Sequence, residues 1–292
     1  MKTLTLISIP ITISACIIPF SQFIDSAMMI KRMLLSGLTQ AEAETAYGLF
    51  TSIVIRLINI PTALALAISM SLVPVISSFK ALNDIQGIRR ETGTGMRYAA
   101  LIGFPCSVGM SLLAREIVMF FYGNVSKFSP GHLTLASELL TFSAMTVVLF
   151  TFVQATSSIL QGLQKQRIPM YTMIIGVACK IVLNYILIGT PGINIHGGPY
   201  ASIACYSAVM ILNVIFVCKH ARMRLDIVNW ILRPAGAAAT MGVVLILLKR
   251  LLPAGRIITI LEILIGATVY IAAAFLLKAF TRQDLSAIRR RK

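Results

Sequence analysis

Acidic residues are scarce in this sequence. Ten Asp and Glu stand against twenty-six Lys and Arg over 292 residues, and charged side chains make up only 12% of the chain. Soluble domains carry about 25% charged residues, so a surface that meets water all round is excluded. The five cysteines, at 16, 106, 179, 205 and 218, include no CxxC pair, which excludes a disulfide framework or zinc site by spacing. His132, His196 and His220 lie far apart in connectors, so no metal is expected. The sequence has no GxxxxGK[ST] phosphate loop, no cofactor fingerprint, no carboxylates paired at catalytic spacing and no nucleophile beside a base. It reads as a non-enzyme without a cofactor. There is one Trp and no interleaved aromatic platform, so the net charge of +16 does not describe a nucleic-acid surface. Lys and Arg fall instead in short connectors, where they face anionic lipid headgroups.

What is abundant is apolar: 57% of the chain, gathered in blocks of about twenty residues, the length that crosses a bilayer as helix. Lipid cannot hydrogen-bond a free backbone, so these blocks are helical. The expected fold is an all-α polytopic membrane bundle of about eight transmembrane helices, near 4–30, 47–78, 94–121, 133–161, 168–188, 198–218, 229–249 and 257–279. The start, MKTLTLISIPITISAC, has the outline of a cleaved signal. Its apolar run continues to Ile30, however, and reads as the first membrane helix. Pro10, Pro19, Pro61, Pro74 and Pro105 fall inside the first three helices, and helices interrupted this way bend around a cavity. The division expected is a six-helix lobe over 1–220, then two further helices and a basic tail over 221–292.

The connectors holding Lys80, Arg89, Arg90 and Arg97, then Lys165 and Arg167, then Lys219, Arg222, Arg224 and Arg233 fall on one side. The basic tail joins them there, while the opposite connectors are poorer in Lys and Arg. The positive-inside rule therefore places both termini in the cytoplasm of a multi-pass cell-membrane protein. Within the spans stand Asp25, Arg56, Lys180 and Glu262, and a charge at such depth costs about 2.5–3.5 kcal/mol on insertion scales unless it faces a cavity or partner. Arg56, with Asn59 nearby and Pro61 beyond, offers a planar fork that matches phosphate oxygens. It would otherwise snorkel or pair with Asp25. Lys180 and Asn184 lie one turn apart on one face, suited to lining a polar path or to joining helices. Glu262 stands alone among apolar residues and reads as structural.

Several runs carry a resemblance: SIPITISACIIPFSQFIDSAMM, RLINIPTALALAISMSLVPVIS, LIGFPCSVGMSLLAREIVMFFYG, ILQGLQKQRIP and KIVLNYILIGTPGINIHGGPYASIACY. In order and spacing they resemble the stage V sporulation protein B group and the related MurJ lipid II flippases. Both belong to the multidrug/oligosaccharidyl-lipid/polysaccharide exporter superfamily. The resemblance implies a non-enzymatic flippase for lipid-linked oligosaccharide or peptidoglycan precursor, working by alternating access, with a role in the cell wall or sporulation. It implies a fold of two lobes with two helices flanking a lipid groove, of which this chain matches the second lobe and the flanking pair. The missing N-terminal lobe is then a partner in cis or trans, alongside membrane lipids and the lipid-linked oligosaccharide diphosphate. By the same resemblance Arg56 matches an arginine that binds the substrate diphosphate, although Ile55 stands where the family often has an acid. Substrate contacts are accordingly expected at Arg56, Asn59, Asp25, Lys180 and Asn184. The alternatives are a multidrug or cation exporter of the same superfamily, or an inactive half-transporter.

Overall fold

The computed structural model describes residues 2–126, 128–252 and 255–279, with side chains at 12, 16, 17 and from 19 onward. Among these residues every regular element is helical. Helix α1 runs Lys2–Leu35 and α2 Gln40–Leu49. Thr39 starts α2 with a capping box: its hydroxyl accepts from the Glu42 amide, and the Glu42 carboxylate accepts from the Thr39 amide at 2.9 Å. A single π turn, Phe50–Val54, joins α2 to α3 (Ile55–Ala81), so that Gln40–Ala81 is one helical run of 42 residues. Asp84 caps α4 (Ile85–Leu112) by accepting from the Gly87 amide. α5 (Ala114–Tyr122) then turns off α4 by 76° at Leu113. Ser129 and Pro130 open α6 (Pro130–Ser143), which meets α7 (Met145–Gly162) at Ala144. The chain closes with α8 (Arg167–Ile188), α9 (Gly197–His220), α10 (Arg233–Leu251) and α11 (Arg256–Leu276).

Six of these runs are long and apolar enough to cross a membrane, or seven if α4 and α5 count as one broken span. These seven correspond to the second through eighth helices expected from sequence. The fourth expected helix divides at Ala144, and only α7 meets the length and apolarity a span needs. The first corresponds to α1, where Pro10 and most side chains before residue 19 lie outside the described side chains, as does the basic tail over 280–292. The 76° bend at Leu113 is not at a proline.

α7 is the axle of the bundle. It packs against α3, α4 and α9, and 72% of its span is buried, against 28% in α8 and α9. α8 lies between α9 and α1 and turns Ile174, Ile175, Val182 and Ile186 outward, the apolar face expected toward acyl chains. α10 and α11 pair with each other, and α10 leans on α4 through Ala237, Ala238, Met241 and Leu245. Polar side chains fasten the middle. Asn213 on α9 accepts from the Thr172 hydroxyl of α8 at 2.7 Å and donates to Thr156 and Ser157 of α7 at 3.3 and 3.2 Å. Such contacts hold membrane helices together where no hydrophobic force does.

Close approach of α7 to α3 depends on Gly162. A Cβ there would stand 2.9 Å from Ile76 Cβ and 3.0 Å from the Val73 carbonyl oxygen, and the backbone atom cannot swing aside. Gly162→Leu is expected to lower the thermal midpoint of the detergent-solubilised protein, with an overpacking cost of about 1–3 kcal/mol. Gly48→Ala, with no atom within 4 Å of its new Cβ, is expected to leave the midpoint unchanged or raise it.

Candidate functional site

A cavity of about 460 Å³ opens between α1, the α2–α3 run, the α6–α7 junction, α8 and α9. The π turn belongs to its wall. An extra residue in one turn shifts the faces of the helix, and single π turns recur at functional sites. Here the turn presents Phe50 and Thr51, and the first turn of α3 follows with Ile55, Arg56 and Asn59. Hydroxyls of Thr51 and Ser52 bond back to the Tyr47 and Gly48 carbonyls at 2.9 and 2.5 Å, satisfying backbone groups where the helix widens.

Asp25, Arg56, Asn59 and Lys180 all line this cavity. Asn184, the fifth residue expected from sequence, does not line it but holds Asp25 from behind. Its amide nitrogen donates to Asp25 Oδ1 at 2.8 Å, while Lys180 Nζ sits 2.5 Å from Oδ2. The carboxylate is buried, and a buried charge is tolerated only when paired and hydrogen-bonded. Lys180 and Asn184, one turn apart on α8, meet that requirement together and clasp α1 to α8. The pair between Asp25 and Arg56 that the sequence left open is therefore not made, because the carboxylate is taken from the α8 side. Arg56 has no hydrogen bond or ion pair among the described residues, and its side chain is exposed into the opening. Lys180 is cancelled by Asp25, so the cavity keeps the positive charge of Arg56.

Sequence reasoning missed part of the lining. Ser21 Oγ and Ser143 Oγ are buried against the cavity without a hydrogen-bond partner among the described residues. Gln22, Thr146 and Ser202 add further polar groups, and Tyr47, Phe50, Phe150 and Tyr206 add aromatic walls. Ser21 lies one turn before Asp25 in SQFIDS, so helical spacing was enough to find it. Ser143 and Ser202 come from helices whose approach no local pattern announces. A mixed polar and apolar chamber with one uncompensated guanidinium can hold an anionic group attached to a larger amphipathic body.

The family model for the lipid II flippase MurJ matches residues 49–266, a stretch that contains Arg56, Lys180 and Asn184. The chain is 29% identical over 204 residues to the lipid II flippase MurJ of Bacillus subtilis (strain 168), covering 70% of this chain and 36% of that protein. It is 28% identical over 298 residues to the uncharacterized membrane protein YabM of the same organism, covering 98% of this chain and 53% of that protein. The chain thus spans about half the length of these relatives or less. A solved lipid II flippase MurJ in an inward closed conformation is similar in fold, with a TM-score of 0.64 at 17% identity over 84% of this chain and 52% of that one.

Removing one member of a buried ion pair costs about 3–5 kcal/mol, whereas replacing both costs far less. Lys180→Met alone is expected to lower the thermal midpoint sharply. The double variant Asp25→Asn/Lys180→Met is expected to recover most of the loss. A double variant that loses the sum of both single effects would show that the two residues do not act as a pair.

Proposed function

The chain belongs to the lipid II flippase MurJ family, and we propose that it forms the substrate-binding half of a flippase for a lipid-linked oligosaccharide diphosphate. Membrane transport of the flippase type, without enzymatic chemistry, follows from the family. The observation that carries the finer reading is Arg56, an unpaired guanidinium in a chamber whose other ionised cation is already neutralised. Two parallel N–H donors in a fixed fork match adjacent oxygens of a diphosphate. Asn59 and the unpaired hydroxyls of Ser21 and Ser143 supply further hydrogen bonds to the head of the substrate. Asp25, Lys180 and Asn184 serve as the wall that fixes α1 against α8. The cargo of the alternative reading, a cationic drug, needs an open carboxylate. Among the described residues lining the cavity the carboxylate is Asp25, and Lys180 holds it.

Alternating access needs two opposed halves that rock about a shared cavity. We assign 1–220 to one such half and 221–292 to a flanking helix pair with a basic tail. The opposing lobe is supplied in cis or in trans. Both termini face the cytoplasm in this reading, on the side richer in Lys and Arg.

Growth of a flippase-depleted bacterium tests the assignment. The chain alone is expected not to restore growth. Joined to the N-terminal half of a MurJ relative it is expected to restore it, and Arg56→Ala in that protein is expected to abolish rescue with normal membrane levels. Arg56→Lys, which keeps the charge without the fork, is expected to fall between. Rescue by Arg56→Ala equal to the parent would remove Arg56 from the substrate site.

A further inference from the structure

Helix α1 borders a second concavity, on a face turned away from the cavity. Ser21, Gln22, Asp25 and Met29 line the cavity. Phe23, Ile24, Ala27, Met28 and Leu35 border instead an open groove of about 430 Å³, with Tyr185 of α8 in its wall, and the two share no lining residue. Phe23, Leu35 and Tyr185 are exposed there. Lys31 and Arg32 line the same groove, so it is apolar from Phe23 to Met28 and basic in the turn that follows.

Arg32 is held in a way that a snorkelling arginine, extended into water, is not. Its Nε donates to the Tyr185 carbonyl at 2.8 Å, and its Cζ stands 4.0 Å from the centroid of the Tyr185 ring. That carbonyl is among the last four of α8, which have no partner within their own helix. Gly189 leaves room for the arrangement, since a Cβ there would overlap the guanidinium. Arg32 is thus fixed through Nε and through its face, and its Nη groups make no hydrogen bond to a described residue. Lys31 is exposed, and no described carboxylate forms an ion pair with either cation. Glu42 and Glu44, at the start of α2, bond to Thr39 and Gln40. In the orientation proposed above, this end of α1 lies on the side poorer in Lys and Arg, so topology does not account for the pair.

We propose that this groove binds one anionic glycerophospholipid, its phosphate held by Lys31 and the Nη groups of Arg32. One acyl chain then lies along Phe23, Ile24, Ala27 and Met28, a path that continues for about 12 Å of helix from the level of Lys31. Charge complementarity selects the occupant. Two adjacent cations stand at the polar end without an acid, an aromatic ring marks the headgroup level, and the remaining wall is apolar. A zwitterionic lipid carries its own ammonium beside the phosphate, which competes with Lys31 and Arg32. The bound lipid lies against α1 and α8 together, the helices that Asp25 and Lys180 join.

Native mass spectrometry of the delipidated, detergent-solubilised chain tests the site, with phosphatidylglycerol and phosphatidylcholine of the same acyl chains as probes. The wild type is expected to retain one phosphatidylglycerol in preference to phosphatidylcholine. Lys31→Gln, at an exposed position, is expected to lower that retention about fivefold, and the double variant K31Q/R32Q to abolish the preference. Ala27→Trp, which fills the apolar end and leaves both cations in place, is expected to lower retention as well. Arg256→Gln, exposed at the start of α11, and Arg56→Ala, in the cavity, are expected to keep it. Equal retention of both lipids by the wild type, or an undiminished preference in K31Q/R32Q or A27W, overturns the proposal. Loss of the preference in Arg56→Ala puts the lipid in the cavity and overturns it too. Retention that disappears when the chain is joined to the N-terminal half of a MurJ relative gives the groove to the opposing lobe and likewise overturns it.

Discussion

Hydrocarbon solvates neither a charge nor a free backbone amide, and the arrangement of this bundle answers to that constraint. The carboxylate of Asp25 is the clearest case. Left alone in the interior it would cost several kcal/mol. Lys180 and Asn184 of α8 meet both of its oxygens, and in doing so they fix the distance between α1 and α8. Asp25 and Lys180 thereby join α1 to α8 at the wall of the cavity. Arg56 is treated differently. It is a charge within a span that no described residue compensates, and it opens onto the chamber.

The backbone is shaped by the same requirement. At the π turn, hydroxyls of Thr51 and Ser52 bond to carbonyls of the preceding turn. At the Leu113 break the Lys249 ammonium reaches the Leu112 carbonyl. Irregular backbone at membrane depth is tolerated only where it is buried in protein or lines a cavity. The first irregularity lines the cavity, and the second lies against the α10–α11 pair. Both of these departures from regular helix therefore sit beside polar groups.

Much of the helical order was legible from apolar block length alone, because a span of about twenty residues follows directly from bilayer thickness. The breaks were not. Leu113 and Ala144 carry no glycine or proline, and their positions follow from contacts between helices distant in the chain. The site was legible in part. Arg56 and Asp25 were visible as charges inside apolar runs, and Lys180 and Asn184 as one stripe on a helix. Their pairing was not visible, since Asp25 and Lys180 are 155 residues apart and nothing local distinguishes Lys180 from Arg56 as a partner.

The central claim is that the cavity recognises a diphosphate through Arg56, and direct binding tests it more closely than any transport assay. Native mass spectrometry of the detergent-solubilised chain, titrated with a polyprenyl diphosphate and with the matching polyprenyl alcohol, reads this without an opposing lobe. The account predicts retention of the diphosphate but not the alcohol by the wild type, and loss of that preference in Arg56→Ala. Equal retention of both lipids by the wild type, or an undiminished preference in Arg56→Ala, would contradict it.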